Sequence, residues 1–265
     1  MGARATATRS TAPRGLGRTS RRDAWWGAPT LVAAGLATFG VYALVAAAQG
    51  SHYLYTGGGA RYLSPFYSPD LPSVVGLDPP FSFAFLVLWA PLGLRLTCYY
   101  YRKAYYRSFF LAPPACAVAG PRRRRYRGES AFPFVLQNLH RYFLYLATIV
   151  LFFLWYDAGR AFFFRDADGS LEVGVGVGTL VLVANVVFLS FFTFGCNSLR
   201  HLIGGKLDCF TCSRAARTRH RLWRGVSVLN LRHMEWAWIS LASVGLADLY
   251  VRLASAGVFH DPRLF

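Results

Sequence analysis

Long apolar runs, separated by polar and arginine-rich stretches, dominate this sequence. Five of the runs approach the roughly 20 residues that an α-helix needs to cross a bilayer. Hydrophobic residues make up 54% of the chain, more than an ordinary soluble domain carries. The pattern predicts an all-α integral membrane protein, a bundle of five transmembrane helices. The predicted spans are approximately Leu31–Ala48, Phe81–Tyr101, Pro133–Trp155, Val173–Phe194 and Met234–Leu253.

The stretches outside these runs define the domain organisation. Residues 1–20 are rich in Arg, Thr, Ala and Gly, so we expect a disordered basic tail followed by one anchor domain over residues 21–265. The first apolar run lacks a clear small-residue cleavage site and is interpreted as a retained helix, not a signal peptide. Between the first two spans, Gly50–Pro80 contains three consecutive glycines and five prolines. A loop this long is predicted to fold as a lid over the helix ends.

The net charge of +17 would suit a nucleic-acid-binding protein, but the distribution of the charge favours a membrane protein. Of the 29 lysines and arginines, 22 lie before the first span or in the loops after the second and fourth spans. The opposite side holds four, namely Arg61, Arg160, Arg165 and Arg263. This positive-inside pattern predicts a cytoplasmic N-terminus, an external C-terminus and no nucleic-acid partner. The run Arg122–Arg125 is interpreted as a topogenic patch that faces lipid headgroups.

Two cysteines occupy matching places on different spans. Cys98 and Cys196 each stand four residues before the first arginine at the end of a span. His140, His201 and His233 begin or end neighbouring spans on the same predicted side of the membrane. Four helices can therefore present Cys and His side chains at one depth, which matches the two-cysteine, two-histidine ligand set of a Rieske [2Fe–2S] centre. The C-x-H and C-x-x-H sequences that usually accompany this set are absent.

Other interpretations of these residues stay open. The two cysteines also suit simple packing of small apolar side chains, and two facing histidines, such as His140 and His233, also suit a b-type haem. All five cysteines fall on the predicted reducing side, so structural disulfides are not expected. The Cys209-x-x-Cys212 motif and Cys116 have no assigned role; a local zinc site with His201 and His220 is the alternative to a plain solvated loop.

Charged side chains inside spans are costly and often functional. Asp248 lies deepest, so we expect it to pair with a buried donor such as Asn185 or a tyrosine, and a proton path is the functional alternative. Phosphate-binding loops, nucleophile elbows and paired catalytic carboxylates are absent from the sequence, so it does not suggest an enzyme that is catalytic alone.

Several segments closely resemble the membrane-anchor subunit of actinobacterial succinate dehydrogenase, of the mycobacterial type with a single five-helix subunit. The resemblance runs from about Arg21 to the end of the chain. The Cys209/Cys212 pair departs from the family pattern. The segments that carry the resemblance are Arg21–Gly27, Arg95–Arg107, Pro113–Val118, Gln137–Tyr142, Arg200–Gly205 and Gly257–Phe265.

The resemblance implies a location in the bacterial plasma membrane and two partners, a flavoprotein subunit that oxidises succinate and an iron–sulfur subunit. The chain would pass electrons to quinone, in this family menaquinone, through a Rieske-type [2Fe–2S] centre held by Cys98, Cys196 and two of the three histidines. An anchor with haem b is the first alternative, and a small-solute transporter is an alternative from another class.

Aromatic and basic residues near this site complete the prediction. Flat apolar rings with polar tips suit a quinone pocket, and positive charge beside a redox centre favours its reduced form. The expected quinone-pocket walls are Tyr99, Tyr101, Trp236 and Trp238, and the expected charge-tuning residues are Arg102, Arg141 and Arg200.

Overall fold

The computed structural model describes residues 15–76, 79–121, 136–166 and 168–265. Residues 1–14 of the predicted tail and the run Arg122–Arg125 lie outside the described residues, and the domain boundary near residue 20 stays a prediction. The described helices are α1 (Gly27–Gln49), α2 (Leu71–Val75), α3 (Ala84–Thr97), α4 (Tyr99–Ser108), α5 (Leu136–Arg160), α6 (Val177–Phe194), α7 (Asn197–Gly204), α8 (Arg214–Leu231) and α9 (His233–Ser255). The described strands are β1 (Leu54–Gly57), β2 (Ala60–Leu63), β3 (Phe163–Arg165) and β4 (Leu171–Val173).

Four of the described helices are long and apolar enough to cross a membrane. They are α1, α5, α6 and α9, which confirms helices at four of the five predicted spans. The second predicted span, Phe81–Tyr101, is instead interrupted at Cys98. Its apolar part, α3, has 14 residues and rises about 21 Å, which is less than the roughly 30 Å of a hydrocarbon core. Five complete spans and their orientation therefore remain predictions.

The long helices alternate in direction. One buried cluster joins the C-terminal ends of α3 and α6 to the N-terminal parts of α5 and α9. A second cluster joins the C-terminal parts of α5 and α9 to α6 and to the first hairpin. The two ends of the bundle are called here the cysteine end, which contains Cys98 and Cys196, and the lid end, which contains the β-strands.

The predicted lid is a folded element that packs on the helices. β1 and β2 form an antiparallel hairpin, and a 3₁₀ turn over Pro65–Tyr67 follows it. Tyr62, Phe66 and Tyr67 on this segment are at most 2% exposed. Glycines at the start of α6 make room for the lid. A Cβ at Gly178 would come within 2.4 Å of the Tyr62 ring, and a Cβ at Gly176 would come within 2.4 Å of the Tyr62 hydroxyl.

A buried ion pair ties the lid to the bundle. The Asp248 carboxylate is fully buried and lies 2.8 Å from Nε of Arg252, one helical turn further along α9. Tyr42 of α1 donates to the same carboxylate at 2.5 Å, and Ser64 of the lid also donates to it. The expected tyrosine partner is thus confirmed, whereas Asn185 instead accepts a hydrogen bond from Ser243.

Arg252 also forms hydrogen bonds to the backbone at the end of α1. Its guanidinium donates to the carbonyl oxygens of Ala46, at 2.6 Å, and Ser51, at 2.9 Å. The Ala46 carbonyl is in the last turn of α1 and has no partner within the helix, so Arg252 and the Tyr67 hydroxyl satisfy a group that would otherwise be costly to bury. Every polar atom in this network has a structural use, which supports a stabilising role for Asp248.

We predict that Asp248→Ala destabilises the protein severely, because it leaves the buried Arg252 charge without its partner. Removing one member of a buried pair typically costs about 3–5 kcal/mol. Thermal unfolding of the purified complex measures the effect. Glu172→Ala is the matched control, since Glu172 pairs with Arg263 at an exposed position and such pairs contribute about 1 kcal/mol or less. Equal unfolding temperatures for the two variants would show that the buried pair does not stabilise the bundle.

Candidate redox site at the cysteine end

Two helices are interrupted in the same way at the two cysteines. Cys98, between α3 and α4, has φ −63° and ψ 134°, and Cys196, between α6 and α7, has φ −65° and ψ 134°. Each cysteine N–H bonds to a carbonyl three residues earlier. Each cysteine C=O accepts from the backbone N–H of the arginine four residues later, Arg102 or Arg200. The regular Cys-to-Arg spacing in the sequence is therefore the first turn of a new helix.

These breaks place both thiols in the core at helix N-termini. Cys98 is 2% exposed and Cys196 is 3% exposed, and both belong to one apolar cluster. Neither thiol forms a capping hydrogen bond. The positive end of a helix dipole favours a thiolate, which is the form of cysteine that binds metals. The two positions thus offer more than small apolar packing.

His140 of α5 lies directly beside Cys196. Its Nε2 is 3.1 Å from Sγ of Cys196, and its Nδ1 is 2.9 Å from Oγ1 of Thr97. Thr97 precedes Cys98, so one histidine contacts the thiol of one helix break and the neighbour of the other thiol. A hydroxyl on the second ring nitrogen fixes the orientation of the imidazole, as outer partners of metal-bound histidines do.

His233, the first residue of α9, is the second buried histidine of this end. It is 4% exposed, and its ring stacks on Phe192 with centroids 5.1 Å apart. Among the described residues, Nδ1 of His233 has no hydrogen-bond partner. A Cβ at Gly195 would lie 3.3 Å from that nitrogen, so the residue beside Cys196 leaves space there. An unpaired nitrogen in the core is costly unless a ligand completes it.

His201 is placed differently. It lies exposed on α7, where its Nδ1 is 3.0 Å from a guanidinium nitrogen of Arg141. It therefore contacts one of the predicted tuning arginines and does not face the buried cysteines. Of the three candidate histidines, His140 and His233 have the burial that an embedded centre requires.

No three His, Cys, Asp or Glu side chains among the described residues are arranged to hold a single metal ion. The donors at this end are instead four side chains distributed over four helix ends. A binuclear centre takes two protein ligands at each iron, so it does not need three donors around one ion. The chemistry of the donor set fits a cluster of that kind.

An arginine without an acidic partner lies beside these donors. Among the described residues, Arg95 forms no ion pair. Its guanidinium donates to the Tyr101 hydroxyl, to the carbonyl of Ala237 at 3.2 Å and to Ser240 at 3.1 Å. It also lies 4.7 Å from the centre of the Phe192 ring, the ring that stacks on His233. The charge is thus held in place on neutral groups.

The predicted tuning arginines are arranged unequally. Arg102 is 7% exposed and close enough to His140 for an electrostatic interaction. Arg200 bonds to Ser227 at 2.9 Å and covers the Trp223 ring, within the α7–α8 pair. Arg141 contacts the exposed His201. Of the three arginines, only Arg102 therefore lies in the core next to a candidate ligand.

The predicted quinone-pocket residues surround the same end without enclosing a described cavity. Tyr101 is buried and packs 5.7 Å from Trp238, so these two rings belong to the core. Tyr99 is 63% exposed. Trp236 packs on Phe191 at 4.9 Å, and its Nε1 has no hydrogen-bond partner among the described residues. Tyr99 and Trp236 are the members that still offer a face or a donor to a ligand.

The remaining cysteines do not belong to the buried cluster of Cys98 and Cys196. Cys209 and Cys212 form a disulfide with Cα atoms 5.8 Å apart, so the prediction that no disulfide forms was wrong for this pair. The motif lies in a turn before α8, which brings the two residues within bonding range. His220 stacks on Phe210 instead of facing the two sulfurs. Cys116 is free and exposed.

Sequence reasoning did not identify Thr97 and Phe192 as parts of the site. Thr97 is adjacent to Cys98 in the sequence, and that adjacency was the available signal. Nothing in the sequence distinguishes Phe192 from the other 21 phenylalanines. Arg95 stands three residues before Cys98 in the sequence, but its neutral surroundings become visible only in the structure.

The fold and this site define a helical membrane protein with two thiols and two imidazoles buried at one end of its bundle. Comparison with known proteins identifies the family. Residues 27–257 match the model of the actinobacterial succinate dehydrogenase subunit SdhC. The chain is also similar to a chain of the Mycobacterium smegmatis Sdh1 complex in the apo form, with 40% identity, 96% of each chain covered and a TM-score of 0.79. No curated protein matches the chain.

The chain therefore belongs to the actinobacterial SdhC family. It is a membrane subunit of succinate dehydrogenase and associates with other subunits of that respiratory complex. Family membership removes the alternative of a small-solute transporter.

Proposed function

We propose that this subunit conducts electrons from the iron–sulfur subunit to menaquinone through a Rieske-type [2Fe–2S] centre held by Cys98, Cys196, His140 and His233. The flavoprotein subunit oxidises succinate at the start of this path. The observation that carries the proposal is the convergence of two buried thiols, at matching helix breaks, with the two buried histidines of the same bundle end.

The side chains present have the chemistry that such a centre requires. When bound, a [2Fe–2S] centre accepts and releases one electron at a time. Cys98 and Cys196 supply thiolates at helix N-termini, and His140 and His233 supply neutral imidazoles. Thr97 orients the His140 ring through Nδ1 and leaves Nε2 directed to the cysteine side. The apolar cluster around them excludes water and keeps the electron path dry.

Fixed positive charge favours electron entry into this core. An added electron brings one negative charge into a region of low dielectric, where a nearby cation stabilises it strongly. Arg95 supplies such a cation and has no acidic partner among the described residues. Arg102 adds a second, close to His140. Tyr99 and Trp236 supply an exposed ring and an indole N–H for the quinone, with Tyr101 and Trp238 behind them.

A haem-b anchor is the second candidate, favoured by the same pair of buried histidines. A b-type haem needs two imidazoles that face each other across the macrocycle. It does not use the buried thiols, and the 3.1 Å contact between His140 and Cys196 is left without a purpose. The optical spectrum of the purified complex separates the candidates, since stoichiometric haem gives a strong Soret band.

We predict that Cys98→Ser and Cys196→Ser each remove one [2Fe–2S] signal from the electron paramagnetic resonance spectrum of the complex and impair quinone reduction. Succinate oxidation with an artificial acceptor should persist, because that site lies in another subunit. Cys116→Ser is the control, since Cys116 is exposed and does not belong to the buried cluster of Cys98 and Cys196. A full set of unchanged signals in both core variants would refute the ligand assignment.

We predict that His233→Ala abolishes the same signal while His201→Ala retains it. His233 is buried with an unpartnered nitrogen, whereas His201 is exposed and contacts Arg141. Iron and acid-labile sulfide per complex provide the measurement, supported by thermal unfolding to confirm that both variants fold. Loss of iron from the His201 variant and not from the His233 variant would reverse the assignment.

We predict that Arg95→Gln lowers the midpoint potential of the centre, because the reduced form loses a buried counter-charge. A tenfold smaller ratio of reduced to oxidised centre corresponds to about 59 mV for one electron. A redox titration followed by electron paramagnetic resonance measures this shift. Arg95→Lys keeps the charge and should shift the potential less. Arg165→Gln, at the lid end, is the control, and an equal shift in all three variants would exclude a local effect of Arg95.

A further inference from the structure

A cavity of about 910 Å³ lies at the lid end, between the two hairpins. The glycine turn Gly57–Gly59 forms one wall, and the β3 strand forms another. The backbone N–H of Arg165 donates to the carbonyl of Gly59 at 2.8 Å, which holds the two walls together. A Cβ at Gly59 would lie 2.4 Å from the Arg165 carbonyl oxygen, so this approach requires glycine. The cavity is thus built by a specific contact between the hairpins.

Arginine is concentrated at this cavity. The predicted outer side of the chain carries four arginines, and three of them line the cavity: Arg61, Arg160 and Arg165. The fourth, Arg263, is already paired with Glu172 at 2.9 Å. Cations are few on the predicted outer side, and three of the four meet at this one cavity. This arrangement indicates an anionic ligand.

Three carboxylates lie near the three arginines. Arg61 lies 3.4 Å from Asp70, Asp157 interacts electrostatically with Arg61 and Arg160, and Asp166 is on the cavity lining. Arg160 donates to the hydroxyl of Tyr156 at 3.1 Å, a neutral partner. The guanidinium of Arg165 has no hydrogen bond or ion pair with any described residue. At least one arginine is therefore available for a ligand.

The cavity continues into a groove along α5 that has aromatic residues on one side and Asp70 and Asp157 on the other. A neighbouring cavity of about 480 Å³ shares Arg61, Tyr156 and Arg160 and extends to Phe152 and Phe153. Phe152, Tyr156 and Arg160 follow one another at intervals of four residues, so they lie on one face of the helix. Phe152 is 69% exposed and Tyr156 is 59% exposed. The arginine-lined cavity at the end of α5 thus adjoins an exposed aromatic face of the same helix.

We propose that this is a binding site for an anionic phospholipid, with the phosphate in the arginine-lined cavity and an acyl chain along the Phe152–Tyr156 face of α5. Exposed Phe163 and Leu171 extend the apolar rim on the hairpin side. Arginine suits phosphate because its planar fork donates two parallel hydrogen bonds. The lipid would bridge the two hairpins and the end of α5, and so stabilise the lid end. This site does not depend on the proposed redox centre.

Thermal unfolding of the delipidated, purified complex tests the site. The probes are dioctanoyl phosphatidylglycerol, dioctanoyl phosphatidylcholine and inorganic phosphate, each titrated in the same detergent. We expect phosphatidylglycerol to raise the unfolding temperature at concentrations where phosphatidylcholine and phosphate do not. An equal rise with phosphate alone would identify a free-anion site, and an equal rise with phosphatidylcholine would identify only non-specific lipid binding; either result overturns the proposal.

Variants locate the effect on this cavity. We expect Arg160→Gln/Arg165→Gln to need roughly tenfold more phosphatidylglycerol for the same stabilisation, because two of the three cations are lost. Arg263→Gln is the matched control, an arginine of the same bundle end outside the cavity. Native mass spectrometry should show one fewer retained phosphatidylglycerol in the double variant than in the control. Equal stabilisation and equal retention in both variants would refute the site.

Discussion

The interruption of two helices at Cys98 and Cys196 is the constraint on which the cysteine end depends. In a continuous helix, each of these residues would be one more apolar position on a span. With ψ near 134° at both cysteines, the chain turns and starts a new helix whose first carbonyl is that of the cysteine itself. The thiols thus stay in the core at the start of the new helices; α4 also buries Tyr101 and Arg102 there, whereas α7 has no buried residue. Because both breaks use the same backbone conformation, the two thiols lie in the same relation to their helices.

The two ends of the bundle differ in whether their buried polar groups have hydrogen-bond partners. At the lid end, Asp248, Arg252, Tyr42 and Ser64 form a closed network in which each charge and hydroxyl has a partner. At the cysteine end, Nδ1 of His233 and Nε1 of Trp236 are buried without one among the described residues. Buried polar atoms that lack a hydrogen-bond partner are rare in folded proteins. The contrast indicates that the lid end holds the helices in place, and it supports the proposal that the cysteine end binds a group from outside the chain.

The sequence predicted four of the long helices, because the backbone of a long apolar run satisfies its own hydrogen bonds in a bilayer only as a helix. It also singled out Cys98 and Cys196, which the structure buries at two helix breaks. It did not predict the break at Cys98, which has neither glycine nor proline beside it. It left three histidines open because the place of His201 depends on the direction of α7, and that direction is set by the break at Cys196. The partners of Asp248 depend on the lid, so Ser64 and Arg252 were not predicted, and the Cys209–Cys212 disulfide depends on a turn.

The most direct test of the central claim is pulsed electron paramagnetic resonance of the reduced complex, prepared once with natural histidine and once with ¹⁵N-histidine. A centre held by His140 and His233 predicts couplings to two histidine nitrogens, and both should change from the ¹⁴N to the ¹⁵N pattern. The partner subunits' clusters give the background spectrum. If the complex shows no histidine-nitrogen coupling in addition to that background, the account is contradicted.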